Sequence, residues 1–216
     1  MKILLLSATQ QEIQPFLLTL ESITVKPDVL IGGLGTTATA YHLTKQLHHH
    51  YYDLVIQAGV AGVFEGSRNA IFSKNGVSDA PVVIVKQDCF ADLGAIEQNQ
   101  FQSIQQMGFS NEPEWYVNYN HLLNKLPYQQ VKAITVSTVT DDADTISRLQ
   151  QKWAADIESM EGSALHYVCH HQQTNYLQLR SISNTVGVRD KTQWKIKEAI
   201  ENLNTALTSL IVMLNS

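Results

Sequence analysis

The feature that most constrains this chain is a repeated unit: a short apolar run that breaks off into small residues and is followed by a helix-forming stretch. "KILLLSA" (2–8), "DVLIGGLG" (28–35), "DLVIQAGVAG" (53–62), "PVVIVKQDCFADLG" (81–94), "VKAITVSTV" (131–139) and "NYLQLRSISN" (175–184) are such runs. Each is too short for a core helix and apolar enough for a strand covered on both faces. Helices are expected over about 10–20, over "TTATAYHLTKQLHHH" with Thr36 or Thr37 as cap, over "TDDADTISRLQQ", and over the closing "WKIKEAIENLNTALTSLIVML". Alternation of this kind implies one α/β domain over 1–216, with a mixed, largely parallel central sheet flanked by helices. Two stretches read as irregular, 65–78 and "SNEPEWYVNYN" (110–120).

In such folds ligands bind beyond the carboxyl ends of the strands, so the residues there should cluster. They are Glu12, the glycines of "GGLG", the small residues of "AGVAG" with Ala61 and Gly62, "FADLG", Glu161 and "SNTVGVRD". The glycine spacing at 32, 33 and 35 matches neither GxGxxG nor GxxxxGK[ST], so tight turns and ligand contact explain it equally well. In "ESMEGSALHYV" (158–168), a helical reading puts Ile157, Glu161, Ala164, Leu165 and Val168 on one face. A carboxylate among apolar residues needs a partner, a solvated cavity, or a place in a first helical turn where the helix dipole favours it.

Composition removes several classes of function. Twenty acidic against 15 basic residues give a formal charge of -5, with no basic stripe for a phosphate backbone, so no nucleic-acid partner is expected. Cys89 and Cys169 stand far apart with no CxxC spacing, which points to buried thiols. The opening apolar run is too short for a signal peptide and no run approaches membrane-spanning length, so no membrane partner and a cytoplasmic location are expected. His48–His50 and His170–His171 are contiguous and cannot converge on one ion from a helix. Asp141, Asp142 and Asp144 are explained by helix capping, so no metal is expected.

"MKILLLSATQQEI", "GGLGTTATA", "VIQAGVAG", "ESMEGSALHYVC" and "RSISN" occur in an order and at separations that resemble the methylthioadenosine/adenosylhomocysteine nucleosidases and purine nucleoside phosphorylases, over nearly the whole chain. Within that superfamily "FADLG", "ESMEG" and "ISN" look most like the futalosine hydrolases. That resemblance implies release of hypoxanthine from futalosine on a route to menaquinone, without metal or organic cofactor, by a homo-oligomer acting on a small purine nucleoside. It further implies that Glu12 activates the water and that Glu161 accepts from ribose hydroxyls, with Met160 against the sugar. Asn184 stands where the nucleosidases have an Asp that protonates adenine, and an amide can donate to one ring position of a 6-oxopurine and accept from another. Gln57 stands where phosphorylases commonly carry an Arg for phosphate, which favours water as nucleophile. A methylthioadenosine-type nucleosidase, a phosphorylase and a non-catalytic nucleoside-binding protein are the alternatives. Trp115, Tyr116 and Tyr119 are either a cover over the substrate or a surface packing cluster.

Overall fold

The computed structural model describes residues 1–74, 79–98 and 100–215. Along the chain run β1 (Ile3–Ser7), α1 (Gln10–Thr19), β2 (Asp28–Ile31), α2 (Gly35–His49), β3 (Leu54–Val63), α3 (Glu65–Lys74), β4 (Val82–Asp88) and β5 (Gly94–Glu97). There follow β6 (Gln100–Ser103), β7 (Tyr116–Val117), β8 (Gln129–Thr135), α4 (Ala143–Trp153), β9 (Ile157–Ser159), α5 (Gly162–His171), β10 (Tyr176–Thr185) and α6 (Ile196–Leu214). The expected α/β architecture is present. β2, β1, β3 and β10 are parallel neighbours, as are β4, β8 and β9, while β10 meets β4 and β3 meets β9 antiparallel. The sheet therefore curls back on itself: β3, β10, β4, β8 and β9 close a ring, and β1 and β2 extend from it.

Side-chain alternation along the strands divides the core. Ile3 and Leu5 of β1, Leu54 and Ile56 of β3, and Leu177 and Leu179 of β10 pack under α1 and α6. The intervening Leu4, Leu6, Val55 and Tyr176 pack under α2 and α5. A strand with both faces covered has no polar side, which is why these runs read as continuously apolar. Beyond Ala58 the same strand enters the ring, where Ala61, Val63 and Ile182 meet Val83, Val85, Val131, Ala133 and Ile157.

Several local expectations change. Residues 65–74 form α3, and only 75–78 of the stretch expected to be irregular lie outside the described residues. α2 starts at Gly35 after Leu34, so neither Thr36 nor Thr37 caps it. Ile157 lies in a strand and α5 starts only at Gly162, so Ile157, Glu161 and Val168 do not share a helix face. β9 is paired on both sides, with β3 and β8, and that pairing overrides the helical periodicity. Asp142 does cap α4, accepting from the Thr145 N–H at 2.8 Å, and both cysteines are buried and free.

α1 carries Pro15, and a buried amide repairs the ladder beside it. Asn204 of α6 donates from Nδ2 to the Glu12 carbonyl at 2.8 Å and accepts at Oδ1 from the Phe16 N–H at 2.9 Å. A regular helix would join those two backbone groups to each other. Asn204 is 4% exposed and Phe16 is fully buried, so water has little access to either group. Replacing Asn204 with Leu is expected to destabilise the protein by about 1–3 kcal/mol in urea denaturation, the cost of buried unpaired polar groups. An unchanged midpoint would mean that α1 closes its own ladder.

Candidate active site

The carboxyl ends of β1, β3 and β10 and the turn after β9 open into a cleft of about 230 Å³. Glu12, Ala61, Gly62, Met160, Glu161 and Asn184 all line it, so six residues singled out from the sequence meet in one place.

Glu12 is in the first turn of α1, and its direction is set by four donors. Oε2 accepts from the Thr9 N–H at 3.0 Å, the Thr9 hydroxyl at 3.1 Å and the Ser7 hydroxyl at 3.3 Å. Oε1 accepts from the Val60 N–H of β3 at 3.2 Å. A solvated surface glutamate would not be gripped by two strand ends and a helix cap.

Glu161 is the residue immediately before α5 and is 5% exposed. Its Oε1 accepts from the N–H of Gly35, the first residue of α2, at 3.1 Å. The carboxylate so occupies the positive end of a helix dipole, but that of α2 rather than of its own helix. Gly33 and Gly35 both have φ of +81°, so the "GGLG" segment is a left-handed turn whose N–H is taken by a carboxylate of the protein itself.

The sequence reading passed over Arg180, which is 1% exposed in mid-β10. Its Nη1 lies 3.7 Å from Oε2 of Glu161 and donates to the Val60 carbonyl at 3.4 Å, while Nη2 donates to Gln57 Oε1 at 2.9 Å. A Cβ on Gly59 would overlap Nη1 and come within 3.0 Å of Glu12 Oε1, so only glycine leaves room for the guanidinium here. The signal in the sequence was one arginine inside an otherwise buried strand, "YLQLRSIS".

Behind the start of α5 is a second buried polar group. Asp88 accepts from the Thr135 hydroxyl at 2.9 Å and from Gln178 Nε2 at 3.2 Å, and the Ser163 N–H donates to the same Thr135 oxygen at 2.8 Å. Burial pushes the Asp88 carboxyl up to about 7, against these hydrogen bonds and the attraction of Arg180. Burial likewise holds His166 down at about 4, with Nδ1 donating to the Tyr116 carbonyl at 2.9 Å.

At the other end of the cleft, β10 pairs with β3 through a register shift that leaves Ser183 unpaired and sets Asn184 opposite Gly62. Its Oδ1 accepts from the Ser183 hydroxyl at 2.9 Å and its Nδ2 donates to the Thr185 carbonyl at 3.1 Å. Glu158, also missed, lines this end and is 5% exposed. Burial raises its carboxyl to about 7 despite Arg189. Val188, Arg189 and Trp194 complete the wall, with Trp194 Nε1 donating to the Val188 carbonyl at 2.7 Å.

Not every strand end joins the cluster. "FADLG" lies outside the cleft lining: Asp92 accepts from the Ser137 N–H at 2.5 Å and the Ala91 carbonyl from Trp153 Nε1 at 3.2 Å, so this segment is tied to the chain just after β8 and to the last residue of α4. Trp115 stacks edge-on against Trp153, Tyr116 is buried and packs with Phe90 and Tyr167, and Tyr119 is exposed; none of them lines the cleft, and the three do not form one surface cluster. Among the described residues no group of three or more His, Cys, Asp or Glu side chains could hold a metal, and no helix is long and apolar enough to cross a membrane.

The sequence profile of the phosphorylase superfamily matches residues 98–215, more than half of the chain. The chain belongs to the phosphorylase superfamily. Among its superfamily relatives are the futalosine hydrolase of Thermus thermophilus, 26% identical over 190 residues (83% of this chain, 78% of the relative), and that of Streptomyces coelicolor, 29% identical over 208 residues (88% and 80%). In fold it is similar to the methylthioadenosine/S-adenosylhomocysteine nucleosidase of Neisseria meningitidis, solved with methylthio-immucillin-A, at a TM-score of 0.76 and 14% identity with 98% of each chain covered. The corresponding nucleosidase of Colwellia psychrerythraea, solved with adenine, gives 0.77 and 15%, with 99% of this chain and 96% of that one covered.

Asp88 generates a pH prediction for this superfamily member. A carboxyl whose folded pKa is raised above its unfolded value favours the fold in its protonated form, so that contribution is present below about 4 and is lost as pH rises through about 7. Asp88→Asn removes the titration. Wild type should lose stability between about pH 4 and 7 by on the order of a few kcal/mol relative to the variant, read from paired denaturation curves. Parallel curves would mean that Asp88 stays ionised throughout.

Proposed function

We propose that this protein hydrolyses the N-glycosidic bond of a purine nucleoside, with futalosine as substrate and hypoxanthine as the released base, as one domain over 1–216 in menaquinone biosynthesis. The observation that carries the reading is the charge distribution of the cleft: Glu12, Glu158 and Glu161 line it against a single cationic lining residue, Arg189. An incoming phosphate would meet the carboxylates of Glu12 and Glu161, and Arg180, a buried cation near Glu12, is already engaged by Glu161 and Gln57. A neutral water meets no such barrier. A sugar that gains positive charge as the base departs is favoured by the same carboxylates.

Glu12 accepts the proton of the attacking water, its four donors fixing the direction of the remaining lone pairs. Glu161 accepts from the ribose hydroxyls, Met160 lies on the sugar face, and Ala61 and Gly62 offer a floor without bulk for a flat base. Asn184 reads the 6-oxopurine edge after exchanging its two local hydrogen bonds for ligand contacts. The similarity to futalosine hydrolases supports the choice of substrate. A homo-oligomer is part of the reading, supported by the exposed Val29 and Ile31 of β2, Tyr41 of α2, and Leu34, which also lines the cleft. A cytoplasmic location rests on the two unpaired thiols.

Pure protein incubated with futalosine, inosine and methylthioadenosine, with and without phosphate, should release free base from futalosine at a rate that phosphate does not change. Phosphate-dependent release would make it a phosphorylase, and binding without release a nucleoside-binding protein. Glu12→Gln should lower kcat by ~100-fold or more while leaving ligand affinity within a small factor; near-normal turnover would remove Glu12 from the mechanism. Asn184→Asp should shift the kcat/KM ratio from the hypoxanthine nucleoside toward an adenine analogue with the same 5' group, because a carboxyl can accept from the 6-amino group. A constant ratio would mean that Asn184 does not read the base.

A further inference from the structure

A nucleosidase must do something with the electrons that stay on N9 when the glycosidic bond breaks. Asn184 cannot supply a proton, and its amide is held on both sides, by the Ser183 hydroxyl and the Thr185 carbonyl. The cleft nevertheless contains a carboxyl group that the mechanism has not used. Glu158 lines the cleft, is 5% exposed, and its carboxyl group has no hydrogen-bond partner among the described residues. A carboxyl group in the cleft wall without a protein partner is available to a ligand bound there.

The position of Glu158 fits that ligand. It pairs with Gly62 across β3 and β9, and a Cβ on Gly62 would lie 3.6 Å from Glu158 Cγ and 3.3 Å from Asn184 Nδ2. Both side chains therefore converge on the backbone of one residue without a side chain. Glu12 and Arg180 converge in the same way on Gly59. Three steps of extended strand carry β3 about 10 Å from Gly59, beside Glu12 and Arg180, to Gly62, beside Asn184 and Glu158. The Gly59 end holds the group for the water and the Gly62 end holds the groups for the base.

We propose that Glu158 is the catalytic residue that donates a proton to the departing purine, on the nucleosidase reading given above. The C1'–N9 bond breaks with its electron pair remaining on the base, and the base takes the proton of the Glu158 carboxyl and leaves neutral. Water adds to C1' and its proton passes to Glu12, so the products are the free sugar and the base, and solvent exchange returns the proton from Glu12 to Glu158. The surroundings suit a proton donor at neutral pH. Burial holds the carboxyl at about 7, Arg189 is the charged group that opposes this, and the strands flanking β9 offer Gly62 and Ile134 beside it, neither of which carries charge. Glu161 and Glu12 face the cleft from its other parts.

Glu158→Gln retains size and hydrogen-bonding reach but has no proton to transfer. Its kcat on the hypoxanthine nucleoside should fall by ~100-fold or more, with a much smaller change in KM. Wild-type kcat should decline above about pH 7 as Glu158 ionises, and the residual activity of the variant should lack that decline. The variant should melt no lower than wild type at pH 8, because it removes a buried charge; this keeps loss of folding separate from loss of chemistry. If it does not fold, Glu158→Asp replaces it, with a lowered kcat that still declines with rising pH. Turnover of Glu158→Gln within a few-fold of wild type, a slow Glu158→Gln that keeps the decline, or a Glu158→Asp with unchanged kcat overturns the role of Glu158 alone. A wild-type protein that releases no base from any purine nucleoside overturns the nucleosidase reading and this role with it.

Discussion

A guanidinium is always charged, and burying one obliges the surrounding structure to compensate it. Arg180 sits in the middle of β10 at 1% exposure, and the cleft is built around meeting its demands. Gln57 and the Val60 carbonyl answer it from β3, and Glu161 answers it from the turn after β9. Gly59 gives it room, since any side chain at that point would occupy its position. Three chain segments remote in sequence are thereby tied to one planar group, which presents several donors in fixed directions. The arrangement also explains why Gln57 is an amide: its oxygen accepts from Arg180, which a second cation at that position could not do.

Glu161 gains from the same arrangement. A carboxylate at 5% exposure is expensive unless charge and donors meet it, and here it has the Arg180 cation on one oxygen and the first N–H of α2 on the other. The helix dipole contributes in the expected sense although the helix is not the one that Glu161 precedes. Glu12 is compensated differently, by four neutral donors at a capped helix start, so that one carboxylate is neutralised by charge and the other by hydrogen bonds. The pKa of Glu158 is raised by burial, which the opposing charge of Arg189 only partly offsets. Three glutamates on one cleft wall thus differ in chemical character because their surroundings differ.

The sequence by itself determined the alternating α/β order, the buried character of β1, β3 and β10, and the identity of six residues that line the cleft, because these depend on apolar period and on short-range strand ends. Asp142 as a cap and the free cysteines were legible for the same reason: both depend on local spacing. Tertiary structure decided the rest. Residues 157–159 have a helical apolar period but pair as a strand between β3 and β8, since two flanking strands with open ladders satisfy their backbone better than one helical turn. The closing of the sheet into a ring, the placement of "FADLG" outside the cleft and the insertion of Asn204 beside Pro15 depend on contacts between segments far apart in the chain. Arg180 and Glu158 are the sharpest cases. A lone arginine in an apolar strand marks Arg180 without naming its partners, and nothing local marks Glu158; the chemical character of both follows from which groups the fold brings beside them and how much water it leaves there.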